Sequence, residues 1–397
     1  MTSATALLVA EPAACTDELD RALRDDGFEV SHADIDGVES QAADLVLVSA
    51  SFGLHRIALL SQRLAGPEDS PTVVVFPGED LEELQACVRG GFDYVVPPFL
   101  PALLRTRLTS CRERGRLTRA VEEMAAVASL REYERDLSIA REIQSGFLPD
   151  ELPCPPGWEL AARFRPAKQV AGDFYDGFDL ADGRRLGLVV ADVCDKGIGA
   201  ALFMALIRTL VRHTAQHTGT GDPACDIGVE PLRQAVCGTN RYLARNHLRQ
   251  GYFATLFFGV LDPDTGMLFY INGGHNPPVL ARAAGGRFLL EPTGPAVGMM
   301  PDSEFAIGQT RLLPGDQLFV YTDGVVEARD NGGGQFGTER MLDLIGRPAS
   351  CADVLLDRVD ERLRRHVGSA EQSDDITMLA LRRQVRGRPT GRREAQG

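Results

Sequence analysis

This chain of 397 residues is short of several things. No apolar run approaches the ~18–20 residues a membrane-spanning helix needs. The longest, residues 200–211, is interrupted by Arg208, so no membrane partner is expected. No basic stretch precedes the apolar residues 6–10, which argues against a signal peptide. The cysteines at 15, 87, 111, 154, 194, 225, 237 and 351 include no CxxC pair. That suits reduced thiols in a cytoplasmic compartment better than a disulfide framework or a zinc site. An excess of positive charge is also missing. Lys+Arg is 42 against 56 Asp+Glu, a formal balance of −14, which disfavours nucleic acid as a partner. Clustered carboxylates could instead hold divalent cations.

What is present is an ordinary globular composition, 44% hydrophobic and 25% charged. The length exceeds one ordinary core, and two or three domains are expected. Residues 1–110 alternate apolar runs (6–10, 45–48, 72–76, 94–96) with helical stretches (17–26, 79–89), the pattern of an α/β domain with a parallel sheet. Residues 111–149 have no strand signal. Apolar residues recur every three or four positions from Leu117 through Val121, Met124, Val127 and Leu130 to Tyr133 and beyond, between charged flanks. This predicts a long helix, read as a dimerising coiled-coil linker. Residues 150–383 carry strand-like runs at 186–191, 254–261, 267–271, 317–321 and 376–381, with helices at 199–216 and 352–367. That mixture is α+β, built from antiparallel sheets. The stretch after residue 382 is arginine-rich, and residues 384–397 are expected to form a disordered tail.

Four acidic sites stand where an apolar run meets a turn: Gly172-Asp173-Phe174-Tyr175-Asp176, Asp192-Val193-Cys194-Asp195-Lys196-Gly197, Tyr321-Thr322-Asp323-Gly324 and Ser373-Asp374-Asp375-Ile376-Thr377. One aspartate so placed is ordinarily a turn or a helix cap. Four in one domain, all offering oxygen, suit hard cations such as Mg²⁺ or Mn²⁺. Gly197 and Gly199 open a helix whose first N–H groups could receive an anion.

These motifs, taken with Gly273-Gly274-His275-Asn276-Pro277, resemble the bacterial SpoIIE/RsbU branch of the metal-dependent serine/threonine phosphatases (PPM, or protein phosphatase 2C). The likeness runs from about residue 137 to 382 and includes the stretch from Asp136 to Gln144 ahead of Leu148-Pro149. It implies an antiparallel β-sandwich flanked by helices, holding two Mn²⁺ or Mg²⁺ ions. By that resemblance Asp192 bridges the ions and the Val193 carbonyl binds the second. Asp323 and Asp374 complete the first, and Asp173 acts through water or directly. The family ligand begins the Asp-Asp motif, which favours Asp374, with Asp375 as the alternative. The implied reaction is in-line hydrolysis of phosphoserine or phosphothreonine by water activated between the ions.

Some members carry a histidine two residues after the bridging aspartate; here Cys194 stands there, so no leaving-group acid is identified. His275 is a weak candidate, with a turn role the favoured reading. Lys168 and Arg165 are weaker candidates for phosphate contact, with solvated or packing roles favoured. The branch further implies a STAS-type anti-anti-sigma factor as substrate, an opposing anti-sigma kinase, and partner switching. A catalytically silent adaptor for such a partner is the alternative reading; a metal-dependent nuclease is disfavoured by the acidic balance.

Residues 1–110 resemble a response-regulator receiver (flavodoxin-like) stripped of its chemistry. Ser49 stands where the phosphoacceptor aspartate belongs, the acidic pair is reduced to Glu11, and Val96-Pro97-Pro98-Phe99 lacks the lysine. A degenerate receiver used for protein binding or dimerisation is expected, coupled to the metal site through the linker helix.

Overall fold

The computed structural model describes residues 4–11, 14–38, 43–64, 71–78, 80–218 and 229–385. The chain divides into two compact units, Met1–Glu132 and Tyr133–Gly397.

In the first unit, strands β1 (Thr5–Val9), β2 (Glu29–Ala33), β3 (Leu45–Ser49), β4 (Thr72–Phe76) and β5 (Asp93–Tyr94) form one parallel sheet in the order β2-β1-β3-β4-β5. Helices α1 (Ala14–Asp25), α2 (Gly53–Leu64) and α3 (Leu81–Arg89) lie between the strands in sequence. Strand side chains alternate between two cores, as the two-residue period demands. Ala6, Leu8, Leu45, Leu47, Val74 and Phe76 meet α1 on one face. Leu7, Val9, Val46, Val48 and Val75 meet α2 and α3 on the other. A sheet covered on both faces reads as continuous apolar runs, which is why β1, β3 and β4 are legible in sequence.

Helix α4 runs unbroken from Pro101 to Ser145, so a linker beginning at residue 111 is corrected. Its Leu104, Leu108 and Cys111 are already part of the first unit's core, and proline is well suited to the first helical turn. Leu117, Val121, Met124, Val127, Leu130 and Tyr133 are left exposed along it.

The second unit is a sandwich of two antiparallel sheets. Strands β6 (Trp158–Arg165), β7 (Phe174–Leu180) and β8 (Arg185–Val193) come first, followed by helices α5 (Ile198–His217) and α6 (Val229–Asn246). Then come β9 (Ala254–Leu261), β10 (Met267–Gly273), β11 (Val279–Ala281), β12 (Arg287–Leu289), β13 (Gly308–Arg311) and β14 (Gln317–Tyr321). Helices α7 (Gly324–Glu327), α8 (Thr338–Ile345) and α9 (Ala352–Val367) precede β15 (Ile376–Arg383). The sheet orders are β13-β10-β9-β8-β7 and β12-β11-β14-β15-β6.

Alternation again decides the packing. Leu186, Leu188 and Val190 of β8 face Leu318 and Val320 of β14 and Leu379 and Leu381 of β15 in the core between the sheets. Val189, Ala191 and Val193 turn the other way, onto α5 and α6. Phe319, Tyr321, Ile376 and Met378 turn onto α8 and α9. Helix α5 is long and apolar enough to cross a membrane by length and composition. Its Ala200, Met204, Ile207 and Val211 are instead buried in this core. Strand β15 extends through Arg383, so the start of the arginine-rich stretch is structured. Arg382 pairs with Glu159, and Arg383 donates to the carbonyls of Asp264, Thr265 and Leu312. The expected tail beyond residue 385 lies outside the described residues.

Asp176, buried in β7, pins α5 to the sheet through Arg208 at 3.1 Å and Arg212 at 3.0 Å. Removing it leaves two guanidinium groups without their carboxylate, a loss of about 3–5 kcal/mol for a buried pair. Asp176→Ala is expected to lower the unfolding free energy by that amount in urea titration; a change under 1 kcal/mol would contradict the pinning role.

Candidate functional site

The acidic sequences meet at one end of the sandwich. Asp192 is the next-to-last residue of β8, Asp173 immediately precedes β7, Asp323 comes two residues after β14, and Asp374 and Asp375 precede β15. Two glycines allow the close approach. A Cβ on Gly324 would lie 1.9 Å from the Asp375 carbonyl, so only glycine lets the turn after β14 meet the turn before β15. A Cβ on Gly172 would lie 2.7 Å from the Val193 carbonyl, so the strand leading to Asp173 rests against the end of β8.

Asp173 is 2% exposed. Thr322 Oγ1 donates to its Oδ2 at 2.7 Å and Thr377 Oγ1 at 2.6 Å. Burial, then the charge of Asp192, still drives its carboxyl well above the usual range. Asp192 is pushed up to about 7, by burial first and then by Asp323 and Asp374, while its hydrogen bond with Asp173 pulls the other way. Burial and the charge of Asp374 raise Asp323 as well. Like charges gathered out of water all favour their protonated forms.

Asp374 and Asp375 have different duties. Asp375 spends both oxygens on backbone: Oδ1 accepts from Ala167 N at 2.7 Å and Oδ2 from Gly172 N at 2.9 Å. It therefore braces the segment leading to Asp173. Asp374 Oδ2 instead meets Lys196 Nζ at 2.9 Å, and that ammonium also donates to the Ser373 carbonyl at 2.6 Å. Lys196, one of two lysines in the chain, lowers Asp323 by its charge. Among the described residues no three acidic, histidine or cysteine side chains already close around one point as an ion's ligands. What the site displays is a cluster of aspartates with one ammonium, Lys196, among them.

The neighbouring side chains have partners of their own. Cys194 Sγ accepts from Phe253 N at 3.2 Å, and burial raises its thiol, so it braces the backbone beside Asp192. His275 is fully buried, with Nδ1 2.9 Å from Thr255 Oγ1 and its backbone N–H donating to Asn272 Oδ1; burial lowers it to about 4. It is neutral at working pH, in keeping with a turn role. Arg165 is committed to Asp360 of α9 at 2.9 Å, and Lys168 is exposed.

Sequence reasoning missed Thr322 and Thr377, although both stand inside the quoted motifs. It also gave Gln144 no role. That side chain donates to the Ala171 carbonyl at 2.7 Å and accepts from Ala171 N at 2.9 Å, one residue before Gly172. The buried glutamine thus ties the end of α4 to the segment that carries Asp173.

A family model described as Stage II sporulation protein E (SpoIIE) matches residues 182–384, which include Asp192, Asp323 and Asp374. The chain belongs to the SpoIIE family. Protein IcfG of Synechocystis sp. is 41% identical over 263 residues, 62% of this chain and 41% of that protein. Phosphoserine phosphatase RsbU of Bacillus subtilis is 26% identical over 255 residues, 64% of this chain and 72% of its own length. Phosphoserine phosphatase RsbP of the same organism is 25% identical, with 46% of its length covered. The chain thus spans under half of two of these relatives. Among solved structures, the SiaA-PP2C domain of Pseudomonas aeruginosa aligns with TM-score 0.52 and 22% identity, over 64% of this chain and 98% of that one. The fold of the second unit is that of the PP2C-like phosphatases.

Asp192 titrates near 7 in the folded chain against 3.8 unfolded. The folded state therefore holds more protons between those values, and metal-free stability is lost as pH rises from about 4 to 7. Asp192→Asn is expected to raise Tm in EDTA at pH 8, with the two proteins converging towards pH 4. An unchanged or lower Tm at pH 8 would contradict the repulsion described.

Proposed function

We propose that the second unit is a metal-dependent protein serine/threonine phosphatase. Its substrate is a phosphoserine or phosphothreonine on a regulatory protein, a STAS-type anti-anti-sigma factor opposed by an anti-sigma kinase. The observation that carries this reading is the convergence of Asp173, Asp192, Asp323 and Asp374 from four segments at one end of the sandwich, where burial first and neighbouring charge second raise the first three. The relatives RsbU and RsbP, named phosphoserine phosphatases, support the same reaction class and substrate.

The donor set fits two hard divalent cations, Mn²⁺ or Mg²⁺: oxygen donors only, gathered where aspartates cluster around one ammonium. Asp192, Asp323, Asp374 and the Val193 carbonyl would hold such ions, with Asp173 acting beside them. Asp375 leaves the ligand set, because its oxygens serve Ala167 and Gly172. When bound, such ions lower the pKa of water and neutralise phosphoryl oxygens. The protein's share is positional. Thr322 and Thr377 aim Asp173 by donating to one of its oxygens. The first turn of α5, entered through Gly197 with no side-chain cap, leaves N–H groups for a phosphoryl oxygen. Lys196, paired with Asp374, would have to give up that contact for Asp374 to hold an ion. Neither Cys194 nor His275 donates the leaving-group proton.

The first unit is read as a degenerate receiver. Its sheet order is that of flavodoxin-like folds. At the end of β3 Ser49 Oγ lies 2.8 Å from Ser51 Oγ, and a serine cannot form an acyl phosphate. The exposed stripe of α4 supports a homodimer paired along that helix. Acetyl phosphate should leave residues 1–110 unlabelled, and Met124→Glu should convert a dimer to monomer in sedimentation; label uptake or an unchanged dimer would count against these parts.

The enzyme reading is tested with p-nitrophenyl phosphate and with phosphorylated STAS proteins. Hydrolysis should require Mn²⁺, stop in EDTA and fall at least 1,000-fold in Asp192→Asn, on the order of 4 kcal/mol of barrier. Partner binding without Mn²⁺-dependent hydrolysis would favour the silent adaptor.

A further inference from the structure

The second unit has a cleft at the Gln317 end of β14, while Asp323 follows the other end of that strand. Its volume is about 540 Å³, within the range of small-molecule sites. The hairpin β11–β12, the start of β14, the end of β15 and the turn after α8 wall it.

Four arginines line it: Arg282, Arg287, Arg347 and Arg382. Two are engaged, Arg282 by Asp316 and Arg382 by Glu159. Arg287 pairs more loosely, 3.7 Å from Asp343 at the cleft wall, and Arg347 has no carboxylate partner among the described residues. Gln317, 8% exposed, lines the same cleft, and its buried Oε1 meets no hydrogen-bond donor among the described residues. A buried acceptor left unpaired is costly, and natural structures ordinarily pair it. The arginine-rich sequence that follows Val385, at the rim, has the wrong sign to fill this cleft.

We propose that the cleft binds an adenine mononucleotide, with its phosphate on Arg287 and Arg347 and its exocyclic amine donating to Gln317. Guanidinium forks match phosphate oxygens bidentately. A glutamine amide complements the N6/N7 edge of adenine. None of these residues belongs to the carboxylate site, so the inference stands apart from the phosphatase reading. Strand β14 runs from Gln317 to Tyr321, directly ahead of Thr322 and Asp323, which gives an occupant of the cleft a short covalent path to the other site.

The test is calorimetric titration of the full chain with AMP and with inorganic phosphate, both in EDTA so that no metal recruits phosphate elsewhere. AMP should bind at least tenfold more tightly than phosphate. Arg347→Ala, at an exposed position, and Gln317→Leu should each weaken AMP at least tenfold. Gln317→Leu should hold or raise Tm, because it removes an unpaired oxygen. Absence of AMP binding, AMP affinity unchanged in Arg347→Ala, or equal affinity for phosphate and AMP would each overturn the proposal.

Discussion

Like charges held close together out of water are unfavourable until something positive arrives. That constraint organises the second unit. Asp173, Asp192, Asp323 and Asp374 come from four separate segments, and each depends on the rest of the sandwich for its place. Apolar packing between the sheets, through Leu188, Val190, Val320 and Leu379, provides the stability against which this repulsion is borne. Natural proteins commonly store such strain at functional sites, where a bound ligand relieves it.

The supporting groups divide the work by chemistry. Neutral hydroxyls of Thr322 and Thr377 fix Asp173 without adding charge. Backbone N–H groups of Ala167 and Gly172 take Asp375, which makes a carboxylate into a brace. Lys196 supplies the one ammonium at Asp374, on a flexible stem that can withdraw. Gln144 reaches the same segment from α4, so the helix that leaves the first unit's core also grips the residue before Gly172.

Much of this was legible in sequence, for a physical reason. Strands buried on both faces, such as β9 and β14, are unbroken apolar runs and were read with their observed limits. Strand β6 was missed because Arg163 and Arg165 spend their charges on Asp353, Asp357 and Asp360 of α9, which looks like exposure. Strand β7 hid behind Gly177 and the buried Asp176. Helix α6 was obscured by Pro231 in its first turn and Gly238 within it. The acidic motifs were readable because aspartate at the end of an apolar strand is uncommon without compensation. The division between Asp374 and Asp375 was not, since adjacent identical residues differ only in what the fold brings to them.

The central claim is that the convergent carboxylates exist to receive cations. It is tested most directly by isothermal titration of the metal-free chain with Mn²⁺, followed for stoichiometry and proton release. The account predicts two ions per chain, with protons released on binding near pH 6 as Asp192 and its neighbours ionise, and loss of binding in Asp192→Asn but retention of fold. Absence of Mn²⁺ uptake by the folded protein, or uptake indifferent to Asp192, would contradict it.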